Sequence, residues 1–307
     1  MNVETPQASQ KSSTRAGFVA LLGPTNAGKS TLLNRLVGSK VAIVSKKVQT
    51  TRTLVRGIAI FDETQVVFVD TPGLFEPRRH LDRLMVDTAW HGGRDADRVA
   101  FVIDASNARP DALELQLAEL ERMRKPAALV INKIDTIDQS KLLPLIAQVN
   151  DQARFEQTFP VSAKTGEGVD ALVAYLRGAM PIGPWLYPED QLSDLPLRMI
   201  AAELTREKIY ERLHQELPYV SHVVTERWET IPKGQRVEQT IYVERESHKK
   251  IVLGRGGATI KWISTQARHA IAQAVDSPVH LFLFVKVRKN WTSDAALLHE
   301  FGIDGRV

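Results

Sequence analysis

Short apolar runs alternate with amphipathic stretches along the first 180 residues of the chain. The apolar runs predict six strands, at Gly17–Leu22, Leu54–Phe61, Gln65–Val69, Arg98–Ile103, Ala127–Ile131 and Thr158–Val161. The amphipathic stretches predict helices at Lys29–Val37, Ala112–Arg122, Lys141–Ala153 and Val169–Gly178. Apolar strands that alternate with helices are typical of a mostly parallel sheet with helices on both faces, and such folds bind ligands at the carboxyl ends of their strands.

A proline-rich segment ends this pattern. Four prolines fall within the sixteen residues from Pro181 to Pro196, and no helix can continue through them. Beyond this segment, the pattern predicts a helix at Arg198–Glu216 and then two strands, at Tyr219–Trp228 and Gln235–Glu244. A short helix, a glycine-rich turn, a helix at Ala258–Val275 and a strand at Val279–Val287 follow. We therefore predict a disordered tail at residues 1–16, an α/β domain at 17–180, a linker at 181–197 and an α+β domain at 198–307.

The composition agrees with two globular domains. The 307 residues exceed the ~250–300 that one core supports, and 43% apolar with 25% charged residues is an ordinary globular balance. The lack of cysteine excludes a disulfide scaffold, a thiolate zinc site and a cysteine nucleophile. No apolar run approaches the ~20 residues that span a bilayer, and the polar start has no apolar signal-peptide core, so we expect a soluble protein of the cytoplasm.

Positive charge is concentrated in the second domain. The segment Arg245–Asn290 holds nine basic residues and only two acidic ones, Glu246 and Asp276. Such a bias is the footprint that a polyanion-binding surface leaves. On charge alone, a solvated basic face explains it equally well.

A glycine-rich motif follows the first predicted strand and opens the first predicted helix. Residues 23–30, GPTNAGKS, match the P-loop pattern G-x-x-x-x-G-K-[ST] in its expected strand–turn–helix context. Its backbone amides can wrap a phosphate chain at a helix N-terminus, where negative charge is favoured. Lys29 is expected to reach the β- and γ-phosphates, and Ser30 to ligate Mg²⁺.

Three more motifs, at residues 70–73, 132–135 and 162–164, close later strands and select the nucleotide. Asp70 can hold Mg²⁺ while the Gly73 amide senses a γ-phosphate, although Asp-Thr-Pro-Gly alone is an ordinary turn sequence. Asp135 can accept from both N1–H and the 2-amino group of guanine, donors that adenine lacks. Four motifs in this order predict a guanine-nucleotide site, formed by Gly23, Asn26, Ala27, Gly28, Lys29, Ser30, Thr31, Asp70, Gly73, Asn132, Lys133, Asp135, Ser162, Ala163 and Lys164.

The long polar segment 39–53 is expected to be a nucleotide-dependent switch. Its Thr51 can complete, with Ser30 and Asp70, the protein ligands of Mg²⁺ when a γ-phosphate is present. A plain connecting loop is the alternative. Ras-like enzymes place a water-orienting glutamine directly after the Asp-x-x-Gly motif, whereas this chain has Leu74, so we expect slow intrinsic hydrolysis.

A second glycine-rich turn lies in the basic segment. Gly254–Gly257 forms Gly-x-x-Gly between two predicted helices, after two strands and before a third, which is the arrangement of a type II KH domain. A KH domain clamps about four nucleotides of single-stranded nucleic acid at this turn. The candidate RNA contacts are Lys249, Lys250, Gly254, Arg255, Gly256, Gly257 and Lys261.

These motifs together resemble the Era-like family of bacterial GTPases over roughly residues 16–304. The resemblance implies an α/β P-loop GTPase domain followed by an α+β type II KH domain. It further implies a GTP-hydrolysing switch that binds the 3′ end of small-subunit 16S rRNA and acts in assembly of the 30S subunit. Asn26 matches an asparagine through which relatives bind K⁺ as a substitute for an arginine finger, and with Lys29, Thr51 and Gly73 it completes the expected catalytic set.

The expected partners follow from this resemblance. We expect GTP or GDP with Mg²⁺, and K⁺ as a hypothesis from Asn26 alone. We also expect a monomer that binds no DNA and has a weak peripheral inner-membrane fraction, although the sequence supplies no membrane anchor. The alternative function is a signalling or membrane-peripheral GTPase whose C-terminal domain binds a protein partner.

Overall fold

The computed structural model of this protein describes residues 14–45, 47, 49–214, 216–300 and 303. Most of the tail expected at residues 1–16 lies outside the described residues. Its last two positions, Arg15 and Ala16, open the first strand, and the Ala16 amide donates to the Pro181 carbonyl oxygen at 3.1 Å. The first strand therefore begins two residues before the domain boundary that the sequence predicts.

The first domain is a six-stranded sheet in the order β2-β3-β1-β4-β5-β6, in which only β2 and β3 pair antiparallel. Along the chain its elements are β1 (Arg15–Leu22), α1 (Lys29–Val37), β2 (Val55–Phe61), β3 (Thr64–Asp70), α2 (His80–Asp95), β4 (Arg98–Asp104), α3 (Pro110–Met123), β5 (Ala127–Asn132), α4 (Gln139–Asn150), β6 (Gln157–Pro160) and α5 (Val169–Ala179). This confirms the predicted mostly parallel sheet.

Helices cover both faces of this sheet because successive side chains of a strand point to opposite sides. In β1, Val19 and Leu21 lie in the core beneath α1 and α5, whereas Ala20 and Leu22 lie in the core beneath α2, α3 and α4. Because β1, β3, β4, β5 and β6 run parallel, their carboxyl ends and the loops that follow them lie at one edge of the sheet.

Helix α2 is missing from the sequence prediction. Its apolar positions Leu81, Leu84, Met85 and Ala89 do follow helical spacing, so the signal was present in the sequence. The carboxylate of Asp82 accepts hydrogen bonds from the backbone amides that precede the helix, which satisfies donors at its N-terminus.

The predicted linker is an ordered strap along the first domain. The Ile58 amide of β2 donates to the Leu192 carbonyl oxygen at 2.9 Å, and Arg56 pairs with Asp194 at 2.7 Å. The buried amide of Gln65 bonds the backbone of Tyr187 in both directions. These contacts explain why a proline-rich segment is held in one path.

The second domain packs three helices on one face of a three-stranded sheet. Its elements are α6 (Leu197–Arg212), β7 (His222–Ile231), β8 (Gly234–Val243), α7 (Glu246–Leu253), α8 (Ala258–Ala274), β9 (Val279–Val287) and α9 (Ala295–Glu300), in which α9 was not predicted. The sheet order is β7-β8-β9, with β8 antiparallel to β7 and parallel to β9. The order helix-strand-strand-helix-helix-strand confirms the type II KH arrangement.

Within the described ranges, no helix combines the length and apolarity needed to cross a bilayer.

Candidate nucleotide site and nucleic-acid interface

The P-loop is shaped by two glycines in the left-handed or adjacent positive-φ region. Gly23 has φ 136°, and a Cβ there would lie 2.0 Å from the Val102 carbonyl oxygen. Gly28 has φ 90°, and a Cβ there would lie 2.3 Å from the Asn132 side-chain nitrogen. Larger residues cannot occupy either position, so the backbone can close tightly around a phosphate chain at the start of α1.

Lys29 is buried at the centre of this loop. Its Nζ donates to the carbonyl oxygens of Gly23 at 2.9 Å and Pro24 at 2.8 Å. Burial lowers the pKa of Lys29 to about 8, while the nearby Asp70 carboxylate acts in the opposite direction. The ammonium group is thus held where phosphate oxygens can replace the two carbonyl partners.

Ser30, Thr51 and Asp70 meet in one cluster, as the sequence predicts. Asp70 Oδ2 accepts from Ser30 Oγ at 2.6 Å and from Thr51 Oγ1 at 3.1 Å, and the two hydroxyl oxygens are 3.1 Å apart. Burial raises the pKa of Asp70, and its Oδ1 is buried without a hydrogen-bond partner among the described residues. Two hydroxyls around a carboxylate with an unsatisfied oxygen suit a hard, oxygen-preferring cation, so the residues fit Mg²⁺.

The motif at the end of β5 joins three loops. Asn132 is buried, its side-chain nitrogen donates to the Ala27 carbonyl oxygen at 2.9 Å, and its oxygen accepts from the Ala163 amide at 3.0 Å. Lys133 donates from Nζ to the Asn26 carbonyl oxygen and to Asp104, both at 2.7 Å. Asn132 and Lys133 therefore hold the P-loop against the loops that carry the predicted guanine contacts.

The predicted guanine contact is also ordered. Ser162 Oγ donates to Asp135 Oδ1 at 2.7 Å, which orients the exposed Asp135 carboxylate. Arg35 of α1 donates to the carbonyl oxygens of Ala163, at 3.0 Å, and Lys164. Sequence reasoning missed both Arg35 and Asp104, because each acts through a partner distant in the chain.

The predicted nucleotide residues are distributed around a cavity of about 470 Å³. Those that line it are Asn26, Gly28, Lys29, Ser30, Thr31, Thr51, Gly73 and Lys133. Asp135 lines a second depression. Ala27, Asp70, Asn132, Ser162 and Ala163 are buried, and Gly23 and Lys164 lie in the same loops. The individual roles of these residues stay predictions.

Gly73 and Leu74 differ sharply in their surroundings. A Cβ at Gly73 would lie 2.5 Å from a Thr25 side-chain carbon, so glycine is required where this turn touches the P-loop. Leu74 is 2% exposed and packs in the core beneath α2, α3 and α4. The side chain in the position of the Ras-like glutamine therefore lies in the core and not in the cavity.

The predicted switch segment is docked on the KH domain, which sequence reasoning did not anticipate. Arg52 is 5% exposed and donates to the carbonyl oxygens of Tyr219 at 2.8 Å, Ser221 at 2.9 Å and Pro218 at 3.2 Å. Its guanidinium carbon also lies 5.7 Å from the centre of the Trp291 ring. The residue next to Thr51 thus anchors the switch in the second domain, and α6 ends at Arg212, earlier than predicted, before the loop that receives it.

Helix α6 adds further contacts to the same segment. Tyr210 donates from its hydroxyl to the Gln49 carbonyl oxygen at 3.1 Å, and Arg206 donates to the Thr50 carbonyl oxygen. Glu207 accepts from the Val44 amide at 3.1 Å. Both sides of Thr51 are therefore held by the KH domain.

Helix α2, which follows the Asp70–Gly73 motif, also packs on the KH domain. Leu81 and Met85 of α2 form a buried cluster with Tyr242, Trp291 and Leu298 of the second domain. The predicted switch segment and the helix that follows the Asp70–Gly73 motif thus contact the same neighbour.

The second glycine-rich turn has the expected form. Gly254, Gly256 and Gly257 have φ of 75°, 60° and 77°, and a Cβ at Gly254 would lie 2.3 Å from Thr259 Oγ1. The remaining predicted RNA residues surround this turn, with Lys250, Arg255 and Lys261 exposed and Lys249 partly exposed. Backbone and cations are therefore accessible to a phosphate chain at the start of α8.

Comparisons with known proteins agree with both domains. The family model described as a 50S ribosome-binding GTPase matches residues 18–133, and the KH domain model matches residues 216–292. GTPase Era of Rhizobium meliloti (strain 1021) is 57% identical over 292 residues, covering 95% of this chain and 93% of the relative. GTPase Era of Mesorhizobium japonicum is 54% identical over 299 residues, covering 97% and 96%.

Solved structures of similar proteins extend the match to the whole fold. A point variant of Aquifex aeolicus Era bound to GDP and AlF4⁻ superposes with a TM-score of 0.90 at 37% identity, covering 94% of this chain and 99% of that one. An Era in complex with MgGDPNP and nucleotides 1506–1542 of 16S ribosomal RNA gives 0.91 at 36% identity, with the same coverage. With a nucleotide-shaped P-loop site, a KH domain and near-full-length identity above half, the chain belongs to the Era family of GTPases.

Proposed function

We propose that this protein is a GTP-hydrolysing switch that binds the 3′ end of 16S rRNA through its KH domain and acts in assembly of the 30S subunit. The Era structure that contains MgGDPNP and nucleotides 1506–1542 of 16S rRNA supports this target, because its fold matches this chain over 94% of the length. The exposed glycine turn and its cations supply the matching chemistry here.

The observation that carries the proposal is the link between Thr51 and Arg52. Thr51 lies in the predicted Mg²⁺ cluster, and Arg52, the next residue, is anchored by three carbonyl oxygens of the KH domain. We propose that a shift of Thr51 toward or away from a γ-phosphate is transmitted to Arg52 and its contacts. This link would couple the nucleotide state to the position of the KH domain.

The residues of the nucleotide site have separate proposed roles in binding Mg²⁺, the phosphates and guanine. Asp70, Ser30 and Thr51 would hold Mg²⁺, which when bound neutralises charge on the β- and γ-phosphates. Lys29 supplies a buried positive charge to the same oxygens, and Gly73 packs against Thr25 of the P-loop, where its amide would donate to a γ-phosphate oxygen. Asp135, oriented by Ser162, selects guanine.

Intrinsic hydrolysis is proposed to be slow, because the burial of Leu74 leaves its position without a water-orienting side chain. A monovalent cation bound at Asn26 would supply the positive charge that an arginine finger supplies in other GTPases. Asn26 belongs to the P-loop and lines the nucleotide cavity, which places it near the phosphate site. Turnover should then be faster in K⁺ than in Na⁺, and Asn26→Ala should remove the difference; equal turnover of the wild type in both salts would end this hypothesis.

The first experiment measures binding of a labelled RNA that copies nucleotides 1506–1542 of 16S rRNA, with a GTP analogue, with GDP and without nucleotide. Tight binding only with the GTP analogue is expected. The control is Gly256→Asp, since Gly256 is exposed with φ 60° and open space, and aspartate tolerates this backbone while repelling phosphates. This variant should lose RNA and keep GTP hydrolysis.

The second candidate function is that of a signalling or membrane-peripheral GTPase whose C-terminal domain binds a protein. It would be favoured if RNA failed to bind in every nucleotide state. A monomeric, cytoplasmic protein with a weak inner-membrane fraction remains our proposal for its state and location, and sedimentation with cell fractionation would test it.

A further inference from the structure

The KH sheet has a second face, turned away from α6, α7 and α8. Register places Arg236, Glu238, Thr240 and Tyr242 of β8 beside His280, Phe282, Phe284 and Lys286 of β9 on this face. From β7, Arg227 and Glu229 share it. We call the part formed by Arg227, Glu229, Arg236, Glu238, Phe282 and Phe284 the outer strand face.

The GTPase domain covers only one end of the sheet's second face. Tyr242 and Val224 pack there against Leu81 and Met85 of α2. At the other end, Phe282 and Phe284 are 46% and 51% exposed. Within the described part of the chain they are the only aromatic residues among the exposed large hydrophobic side chains, so this pair of rings is not a consequence of general surface composition.

The charged side chains that β7 and β8 place on the outer strand face are balanced, two arginines against two glutamates, and the excess of positive charge lies along β9 and the turn after it. The Arg236 guanidinium lies 5.1 Å from the centre of the Phe282 ring. The two acids of the outer strand face are each paired with an arginine, Glu238 with Arg236 at 2.6 Å and Glu229 with Arg227 at 2.5 Å. Along β9 and the turn after it, residues 277–290 contain no acid, and Lys286 and Arg288 are exposed.

We infer that the outer strand face is a second RNA-binding surface, on which Phe282 and Phe284 stack with unpaired bases while the neighbouring cations contact phosphates. Exposed aromatic rings interleaved with arginine on a sheet are the features that recognise single-stranded RNA with little sequence preference. A protein partner is less well matched, because the positive charge continues along the strand beyond the apolar pair.

The position of β9 connects this surface to the glycine turn. β9 is the edge strand of the sheet and packs against both α7 and α8, the helices on either side of Gly254–Gly257. RNA that leaves the glycine turn along this edge can therefore continue onto the outer strand face. The inference rests on the proposed RNA binding and extends its footprint beyond the ~4 nucleotides that a KH turn clamps.

The test compares two RNAs taken from the 3′ end of the segment 1506–1542, one of about 4 nucleotides and one of about 12 nucleotides. The variant Phe282→Leu/Phe284→Leu removes stacking and keeps apolar bulk, and Phe282→Tyr/Phe284→Tyr is the matched control that keeps both rings. The leucine variant should bind the longer RNA at least about tenfold more weakly, with the shorter RNA unaffected, and the tyrosine variant should bind both like the wild type.

A second, charge-based variant keeps the test independent of the rings. Arg236→Gln/Lys286→Gln should reduce the salt dependence of binding for the longer RNA only, because phosphate contacts release counterions. Unchanged affinity of the leucine variant for the longer RNA overturns the inference, as does an equal loss for both RNAs, which would place the rings in the KH cleft itself. If the wild type binds neither RNA, the proposed function fails and this inference fails with it. The outer strand face would then be assigned to a protein partner.

Discussion

Arg52 offers the most direct test of coupling between the nucleotide site and the KH domain. Its buried guanidinium donates to the carbonyl oxygens of Pro218, Tyr219 and Ser221, at 2.8–3.2 Å. A hydrogen bond from a charged donor contributes about 1.5–3 kcal/mol net. Burial also lowers the pKa of Arg52, which reflects the cost of removing this cation from water.

The two effects set the expected size of the change. The three hydrogen bonds of Arg52 stabilise the fold, and the cost of burying its charge offsets part of this gain. We therefore expect Arg52→Ala to lower the free energy of unfolding by about 3–5 kcal/mol. Arg52→Lys should recover only part of this loss, because one ammonium group cannot reproduce a planar fork of donors. Arg56→Ala is the matched control: its ion pair with Asp194 is partly exposed, and we expect a loss of no more than about 1 kcal/mol.

Two measurements decide the outcome. Urea unfolding followed by tryptophan fluorescence reports stability, since Trp291 is buried against Arg52. RNA binding with the GTP analogue and with GDP reports coupling. In Arg52→Ala the affinities for RNA in these two nucleotide states should become similar, while the affinity of the protein for the GTP analogue stays near that of the wild type. If Arg52→Ala kept the full difference between the two nucleotide states, the route of coupling through this residue would be refuted.

Three further predictions concern the guanine contact, the buried Leu74 and the buried His222. Asp135→Asn should weaken GTP binding about 10–100-fold, because an amide leaves one of the two guanine donors without an acceptor; competition against a fluorescent GDP measures this. Leu74→Gln should not speed hydrolysis and should cost about 2–4 kcal/mol of stability, since the amide enters an apolar core; faster turnover in a stable variant would contradict this. Burial, with nearby Arg52 and Arg206, holds the pKa of His222 well below 6.5, so the unfolded chain alone takes up its proton as pH falls below about 6.5. Stability should then fall by up to about 1.4 kcal/mol per pH unit, a slope that His222→Gln removes in urea titrations at pH 7.5, 6.5 and 5.5.

Sequence reasoning reached the sheet, the P-loop and the KH turn because each depends on neighbours in the chain. A strand, a glycine turn and a helix N-terminus are contiguous, so Gly28, Lys29 and Ser30 can be assigned from their spacing. Helix α2 carries the same kind of local signal, because its apolar positions repeat with helical spacing. The boundaries of β1 and α6 were less accurate, since contacts with Pro181 and with Arg52 decide where those elements begin and end.

The sequence by itself determined the nucleotide chemistry, the order of the two domains and the KH turn. Only the tertiary structure decided that Leu74 is buried, that Arg35 and Asp104 bond the motifs predicted to bind guanine, and that the predicted switch segment is anchored in the KH domain. The physical reason is separation along the chain. Arg52 and its acceptors are more than 160 residues apart, and a hydrogen bond across such a distance leaves no periodic or spacing signal in either segment.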